Sequence, residues 1–360
     1  AITTCRYWLT GPAVLFQSVH MFTETLTHRL RDRVLRSPLL DLLTGPHGVD
    51  RYTEIVDPVW IKGNARAKVV AVRRQTTRSV TLTLEPNAAF PGFSAGQHIN
   101  LSVEIDGRRR TRPYSPASAE GSRLLELTVG LHDGGLVSTY LYENAEPGMT
   151  VGLDSVGGDF FMPAQRPQRI LFVSGGSGIT PVLSMLRTLK AEGFTGEAAF
   201  IHYARCEQDA CYRDELDRMP GVRVLHGYTR DDQGADLDGH FAAHHLSAAM
   251  AEPDAVYVCG PPALVEAVRE LRPDARSESF VPPVFAVPAE STGGTISFTT
   301  SGVEVADSGQ TLLEQAEAAG LNPESGCRMG ICFSCTRPKT RGAVRNLLNG
   351  TVSTDDCEDI

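Results

Sequence analysis

RILFVSGGSGITP, residues 169–181, runs an apolar strand into a glycine turn and then into a helix with proline in its first turn. A strand apolar on both faces belongs in a parallel sheet covered by helices on either side. Three more such runs follow, AAFIHYA (198–204), VRVLHG (222–227) and AVYVCG (255–260), with helical patterns over Pro181–Glu192 and Ala263–Leu271. Residues 166–281 therefore read as a parallel α/β domain. The glycine turn would open backbone amides toward a phosphate at the helix N-terminus, although the same residues also suit an ordinary helix start. The pattern is not G-x-G-x-x-G, so the dinucleotide fingerprint is absent.

Upstream the rhythm is different. AKVVAV (67–72), SVTLTLE (79–85), HINLSVEI (98–105) and LLELTV (124–129) alternate with turns, and Asp106-Gly107 is a hairpin signal. Residues 66–165 read as an antiparallel barrel or sandwich. Downstream, a proline-rich linker over 282–290 leads to a small acidic unit, 291–360. It holds a strand at 294–300, a short strand at Val303–Val305, a helix over Thr311–Ala319 and a cysteine loop.

The 360 residues are 41% apolar and 21% charged, with a formal charge of −9. That composition excludes disorder, collagen and coiled coil, and it offers no general reason to bind nucleic acid. No apolar run is long enough to span a bilayer. Eight cysteines are too few for a disulfide scaffold, and the crowding of Cys327, Cys332 and Cys335 points to metal ligation in a reducing cytosol. Residues 1–20 are expected to be a non-native leader, because the amphipathic pattern begins at Met21. Residues 21–65 are expected to form a helical extension.

Cys327-x4-Cys332-x2-Cys335 lies on a loop punctuated by Gly326 and Gly330. Plant-type 2Fe-2S sites use this spacing, since the cluster needs thiolates converging from one curled loop. A structural zinc site prefers paired C-x2-C knuckles and fits less well, and chance clustering of buried cysteines is the third reading. Arg112-Pro113-Tyr114-Ser115 is expected just after a barrel strand, with Gly134-Gly135-Leu136-Val137-Ser138-Thr139 before a helix-like stretch at Tyr140–Glu143. An arginine can pair with a flavin phosphate, a tyrosine can lie on a flavin ring, and a glycine turn feeding a helix can hold the phosphate. An exposed arginine and a half-buried tyrosine in a sheet would carry the same letters. Cys259, at the end of an α/β strand, stands where such domains place ligands, but it is equally an ordinary small core residue. His240, His244 and His245 read as a solvated helix face rather than a metal site.

The order RPYS, GGLVST, GGSGITP, CGPP and CRMGICFSC resembles the ferredoxin-NADP reductase superfamily, in the subgroup with a C-terminal plant-type ferredoxin domain of β-grasp fold. The resemblance covers residues 66–360. It implies FAD, with FMN as the alternative, on Arg112, Pro113, Tyr114 and Ser115, its phosphate near Gly135, Ser138 and Thr139. It implies a pyridine nucleotide on Gly175, Gly176, Ser177, Gly178, Thr180 and Pro181, with the nicotinamide near Cys259, Gly260 and Pro261. Arg205 and Arg213 occupy the region that recognises an adenosine 2′-phosphate, which favours NADPH over NADH. Glu278 belongs to a stretch that approaches the flavin, so Tyr114, Ser115, Cys259 and Glu278 are the expected reacting-centre residues.

The cluster is expected on Cys327, Cys332 and Cys335. The resemblance places a fourth thiolate about thirty residues beyond the third, past Ile360, so the site is expected to be incomplete and Cys357 a bystander in an acidic turn. The implied activity passes electrons from NAD(P)H through flavin and cluster to an external acceptor. The basic amphipathic head, with Phe22, Leu26, Leu30 and Val34 among Arg29, Arg31, Arg33 and Arg36, is similar to reductases serving membrane fatty-acyl desaturases. That points to a cytoplasmic protein with peripheral membrane contact. A Rieske-type oxygenase or other hydroxylase is the alternative client, and a redox-responsive binding module without turnover is the alternative from another class.

Overall fold

The computed structural model describes residues 50–231, 233–280, 294–347 and 350–360. The expected leader (1–20), the basic helix (22–43) and the linker (282–290) lie outside the described residues. Residues 50–66 and 87–91 belong to one unit. In its helix α1 (Asp50–Val56), the Asp50 carboxylate accepts the Lys62 and Gly63 amides at 2.9 and 2.8 Å. Asn87 Nδ2 donates to the carbonyls of Val59, Ile61 and Asn64.

In the larger unit, six antiparallel strands form the first sheet: β1 (Arg66–Thr76), β2 (Ser79–Pro86), β3 (His98–Ile105), β4 (Arg108–Tyr114), β5 (Leu125–Gly130) and β6 (Thr150–Gly157), in the order β4-β3-β6-β1-β2-β5. The expected hairpin turn is present, with Asp106 and Gly107 at φ 52° and 70° between β3 and β4. An isolated bridge, Pro116 to Leu127, brings the chain leaving β4 onto β5, so the two edges of the sheet approach each other. One boundary differs from expectation: Arg112, Pro113 and Tyr114 are the last residues of β4 itself, paired with Leu101, Asn100 and Ile99. β4 is an edge strand, where the missing proline N–H costs no ladder bond. Helix α2 (Leu136–Asn144) also starts earlier than the sequence suggests, so Val137, Ser138 and Thr139 lie in its first turn.

The second sheet is parallel: β7 (Arg169–Gly175), β8 (Glu197–Ala204), β9 (Val222–Tyr228), β10 (Leu237–Asp238), β11 (Ala255–Cys259) and β12 (Arg276–Glu278), in the order β10-β9-β8-β7-β11-β12. Helix α3 (Ile179–Ala191) covers one face, where Ile179, Val182, Leu183 and Leu186 meet Ile170, Phe172, Phe200 and Tyr257. On the other face Leu171, Val173, Ala199 and Ile201 meet Val265 and Val268 of a later helix and Ala249. Burial on both faces is what the continuous apolar strands require. Helices α4 (Arg213–Asp217), α5 (Ala243–Ala249) and α6 (Pro262–Leu271) complete this part. α5 corrects an expectation: His245 is fully buried instead of lying on a solvated face, because its ring packs behind Tyr203 at a hydrogen-bond distance of 2.7 Å.

From residue 294 the chain forms a hairpin, β13 (Thr295–Phe298) with β14 (Val303–Ala306), then helix α7 (Leu312–Ala318). Thr311 and Glu314 cap that helix reciprocally. After the cysteine loop come four two-residue strands, β15 (Pro338–Lys339) pairing with β18 (Glu358–Asp359), and β16 (Val344–Arg345) with β17 (Val352–Ser353). No helix among the described residues is long and apolar enough to cross a membrane.

Candidate functional site

β7 and β11 are neighbours, with Ser174 opposite Cys259, so the GGSG and CGPP turns emerge side by side from one end of the sheet. The contact is close: a Cβ at Gly178 would stand 2.2 Å from the Cys259 carbonyl oxygen, and one at Gly175 would stand 2.9 Å from Pro261 Cδ. Gly176 adopts φ 55° with nothing within 4 Å of its missing Cβ, which leaves the turn's backbone open to a ligand. α3 begins directly after a 3-10 turn (Gly176–Gly178) with no side chain capping its first amides. Thr180 Oγ1 donates to Ser177 O at 3.2 Å, and Pro181 lies in the first turn. These residues form an open amide turn of the kind that accepts a phosphate.

The β4 motif presents a half-buried Arg112 and Tyr114 and a buried Ser115. Among the described residues, Arg112 Nη1 donates to the carbonyl of Thr111 alone, at 2.7 Å, and Ser115 Oγ has no hydrogen-bond partner. A buried hydroxyl without a partner is costly unless a ligand supplies one, so this spot fits a polar group from outside the chain. Gly135 stands at the N-cap of α2 without a capping side chain. Ser138 is otherwise engaged: its hydroxyl donates to Gly135 O and accepts the His132 amide. Thr139 is half-buried in the same turn, its amide given to Gly135 O.

Glu278 lies opposite Cys259 where β12 pairs with β11. Burial raises the Cys259 thiol, and the Glu278 carboxylate raises it further. Burial pushes Glu278 itself up to about 8, and its Oε2 has no partner among the described residues. A Cβ on Gly158 would stand 3.1 Å from His98 Nδ1 and 3.8 Å from Glu278 Oε1, so β3 and β12 send two polar side chains to the same backbone position. Burial keeps His98 below the usual histidine range, although Cys332 opposes this. Glu278 has a testable signature. Its proton is held more tightly in the folded chain than in the unfolded one, so stability should fall as pH rises from about 4.5 to about 8 and level off above. Glu278→Gln should flatten that slope in a series of thermal midpoints; identical slopes in both proteins would contradict it.

Arg205 is exposed just beyond β8. Arg213 is less available, because it pairs with Glu207 and approaches Asp217 at 3.7 Å. Arg213 also lines a cleft of about 1080 Å³ with Arg73, Arg187, Lys190 and Tyr212, which includes none of the β4 or glycine-turn residues.

In the cysteine loop, Arg328 and Phe333 adopt φ 57°, and Gly330 φ 73°, curling the chain around its sulfurs. Cys332 Sγ accepts the Cys327 amide at 3.2 Å, and Cys327 Sγ accepts the Met329 amide at 3.3 Å. A Cβ on Gly326 would stand 2.3 Å from Cys332 Sγ. The Cys327 thiol hydrogen-bonds to Cys332, lowering Cys332 and raising Cys327. Sulfurs fed by backbone amides fit thiolate ligands of an iron–sulfur cluster. Cys335 is half-buried and free, and Cys357 is free and exposed. The loop also touches the first sheet: Asn100 Nδ2 donates to Ile331 O at 2.9 Å, and Arg110 reaches Glu324 at 3.4 Å. The motif reading missed His98 and Asn100, although H-x-N-x-S at 98–102 puts polar residues at period two along a strand that is otherwise apolar.

Residues 68–161 match the family model for the oxidoreductase FAD-binding domain, and residues 172–270 match that for the oxidoreductase NAD-binding domain. The two sheets are therefore the halves of a flavin- and pyridine-nucleotide-binding oxidoreductase. An NADPH oxidoreductase of Mycobacterium tuberculosis is 34% identical over 327 residues, which cover 86% of this chain and 84% of that protein. The glycine betaine monooxygenase reductase subunit of Pseudomonas aeruginosa is 27% identical over 346 residues, 84% of this chain and 92% of the other. Among solved structures, phthalate dioxygenase reductase, a modular structure for electron transfer from pyridine nucleotides to [2Fe-2S], superposes with a TM-score of 0.54 at 24% identity. It covers 82% of this chain and 97% of that one, and at this identity the match shows the fold. The chain belongs to the ferredoxin-NADP reductase superfamily as an NAD(P)H-dependent flavin oxidoreductase.

Proposed function

We propose that this protein is an NADPH-dependent reductase that delivers electrons one at a time, through FAD and a 2Fe-2S cluster, to a separate oxygenase component. The observation that carries this reading is the 2.9 Å hydrogen bond from Asn100 Nδ2 to Ile331 O. It docks the cysteine loop on β3, where Asn100 lies opposite Pro113 in the RPYS strand. Relatives that are reductase subunits of oxygenases support the choice of client. Family membership sets aside a binding module without turnover. A desaturase at a membrane is the second reading, and it rests on the basic amphipathic pattern between Phe22 and Arg36.

The bound groups would supply one conversion: a two-electron hydride from the nicotinamide becomes two single-electron transfers through the cluster. The chain's own residues do the rest. Arg112 and the Gly135 turn hold phosphate, with Ser138 and Thr139 shaping that turn, while Pro113, Tyr114 and Ser115 orient the ring, Ser115 giving its unpaired hydroxyl. Gly175, Gly176, Ser177, Gly178, Thr180 and Pro181 hold the nucleotide's pyrophosphate at the start of α3. Cys259, Gly260 and Pro261 bound the nicotinamide, and Glu278, protonated at neutral pH, covers the reacting face without adding a buried charge. Cys327, Cys332 and Cys335 supply three of the four thiolates that a 2Fe-2S cluster takes. The domains follow as 66–165 for flavin, 166–281 for nucleotide and 291–360 for the ferredoxin-like unit.

Arg205 is proposed to recognise the 2′-phosphate. Arg205→Ala should lower kcat/KM for NADPH by about 10–100-fold, the worth of one charge-assisted hydrogen bond, and leave NADH nearly unchanged. Equal losses with both nucleotides would contradict this role. The client is tested by reconstitution: the purified reductase should support turnover of a soluble oxygenase component, and support of a membrane desaturase alone would select the second reading.

A further inference from the structure

Asp238 ends β10, one of the two edge strands of the parallel sheet, and His244 and His245 lie in the first turn of α5. Asp238 Oδ1 stands 3.3 Å from His244 Nε2 and 3.3 Å from His245 Nε2, and all three ligand atoms lie within 4.8 Å of one another. Among the described residues this is the one group of three metal-ligating side chains gathered so closely. Charge-assisted hydrogen bonds settle at about 2.7–2.9 Å, so two contacts at 3.3 Å are long for that purpose. Both separations are also compatible with the edge of a tetrahedron around an ion. Bonds of about 2.0–2.1 Å give edges of roughly 3.3–3.4 Å, whereas a square-planar ion would draw neighbouring donors to about 2.9 Å.

A partner for the other ring nitrogen of His245 stands within reach. The His245 ring is fully buried, and its Nδ1 lies 2.7 Å from Tyr203 Oη, which holds the ring with Nε2 toward Asp238. The His244 ring meets it edge-on at 4.2 Å. The donor set is one carboxylate and two imidazole nitrogens.

We propose that Asp238, His244 and His245 form a zinc site, its fourth position filled by water, that ties β10 to α5. Binding carries a tautomer change. Without metal, His245 Nδ1 accepts the Ala242 amide at 3.3 Å and Nε2 carries the proton. With metal, the proton leaves Nε2 for water and one is taken up from water at Nδ1, so Nε2 is a ligand, Nδ1–H donates to the Tyr203 oxygen and the Ala242 amide gives up its bond to the ring. Tyr203 lies in register with Gly175, so the ion would brace the strand beside the glycine turn.

The test uses the full-length, flavin-loaded chain with Cys327, Cys332, Cys335 and Cys357 replaced by serine, so that these thiolates cannot take the metal. Titration with Zn²⁺, and with Co²⁺ as a visible probe, should show one equivalent per chain and a tetrahedral cobalt spectrum without thiolate charge transfer. Asp238→Asn and His244→Ala change exposed side chains and should abolish that equivalent, and Tyr203→Phe should weaken it about 10–100-fold. Should the serine background fail to fold, the same cobalt titration of the unmodified chain should show a thiolate-free component that Asp238→Asn removes. Unchanged binding in Asp238→Asn and His244→Ala, or no thiolate-free component in either background, would overturn the proposal.

Discussion

Arg187→Met should lower the stability of the folded chain by about 3–5 kcal/mol, since it strands two acidic side chains that lose their shared cation. Arg187 extends from α3 and donates to both carboxylate oxygens of Glu215, at 2.7 and 2.6 Å, to Glu126 at 3.1 Å and to the Ala117 carbonyl at 2.8 Å. Its guanidinium also lies 5.2 Å from the centre of the Tyr212 ring. Although burial works against its charge, the hydrogen bonds to Glu215 and the field of Glu126 hold it above the usual arginine range. Ala117 and Glu126 belong to the flavin half and Glu215 to the nucleotide half, so one side chain joins the two sheets. The thermal midpoint should fall by roughly 10 °C, and Arg187→Lys should recover only part of it, because an ammonium cannot reproduce the two-pronged bond. A drop of less than 1 kcal/mol in denaturant unfolding would show that the ion pairs are surface decoration.

Cys332→Ser should abolish electron delivery to a protein acceptor and leave NADPH-driven ferricyanide reduction close to the parent rate. Cys332 is buried at the centre of the loop, where it accepts the Cys327 amide and faces the Ser334 hydroxyl at 3.4 Å. A serine oxygen is a harder and less readily ionised ligand than a thiolate, so iron and sulfide should be lost from the protein. The flavin and nucleotide turns are assembled from other elements and should be untouched. Iron and sulfide measured beside the two rates separate the outcomes. Loss of both activities would place Cys332 in the fold instead of in the relay, and retention of both would remove the cluster from the pathway.

Most of the fold was legible because long strands carry their period openly. The alternating strands upstream and the continuous apolar strands downstream appear within a few residues of the expected boundaries, as does the Asp106-Gly107 turn. Short elements escaped. β10, β12 and α5 are two, three and seven residues long, too few to show a period, and Asp238, Glu278 and His245 sit on them. His245 looked solvated because its neighbour in the core, Tyr203, is 42 residues away in sequence. The glycine turns were visible as letters, yet the reason for Gly178, the Cys259 carbonyl 2.2 Å from its missing Cβ, exists only once β7 and β11 are side by side. Asn100 and Arg187 act through contacts between distant segments, and a motif search has no access to such contacts.

The most direct test of the electron path is one anaerobic addition of NADPH to the FAD- and cluster-loaded chain, followed by its visible spectrum. The flavin band and the broad iron–sulfur absorption should bleach together, with the cluster recovering its colour as an acceptor is supplied. Bleaching of the flavin alone, beside a cluster that stays oxidised, would contradict the relay from hydride to flavin to cluster.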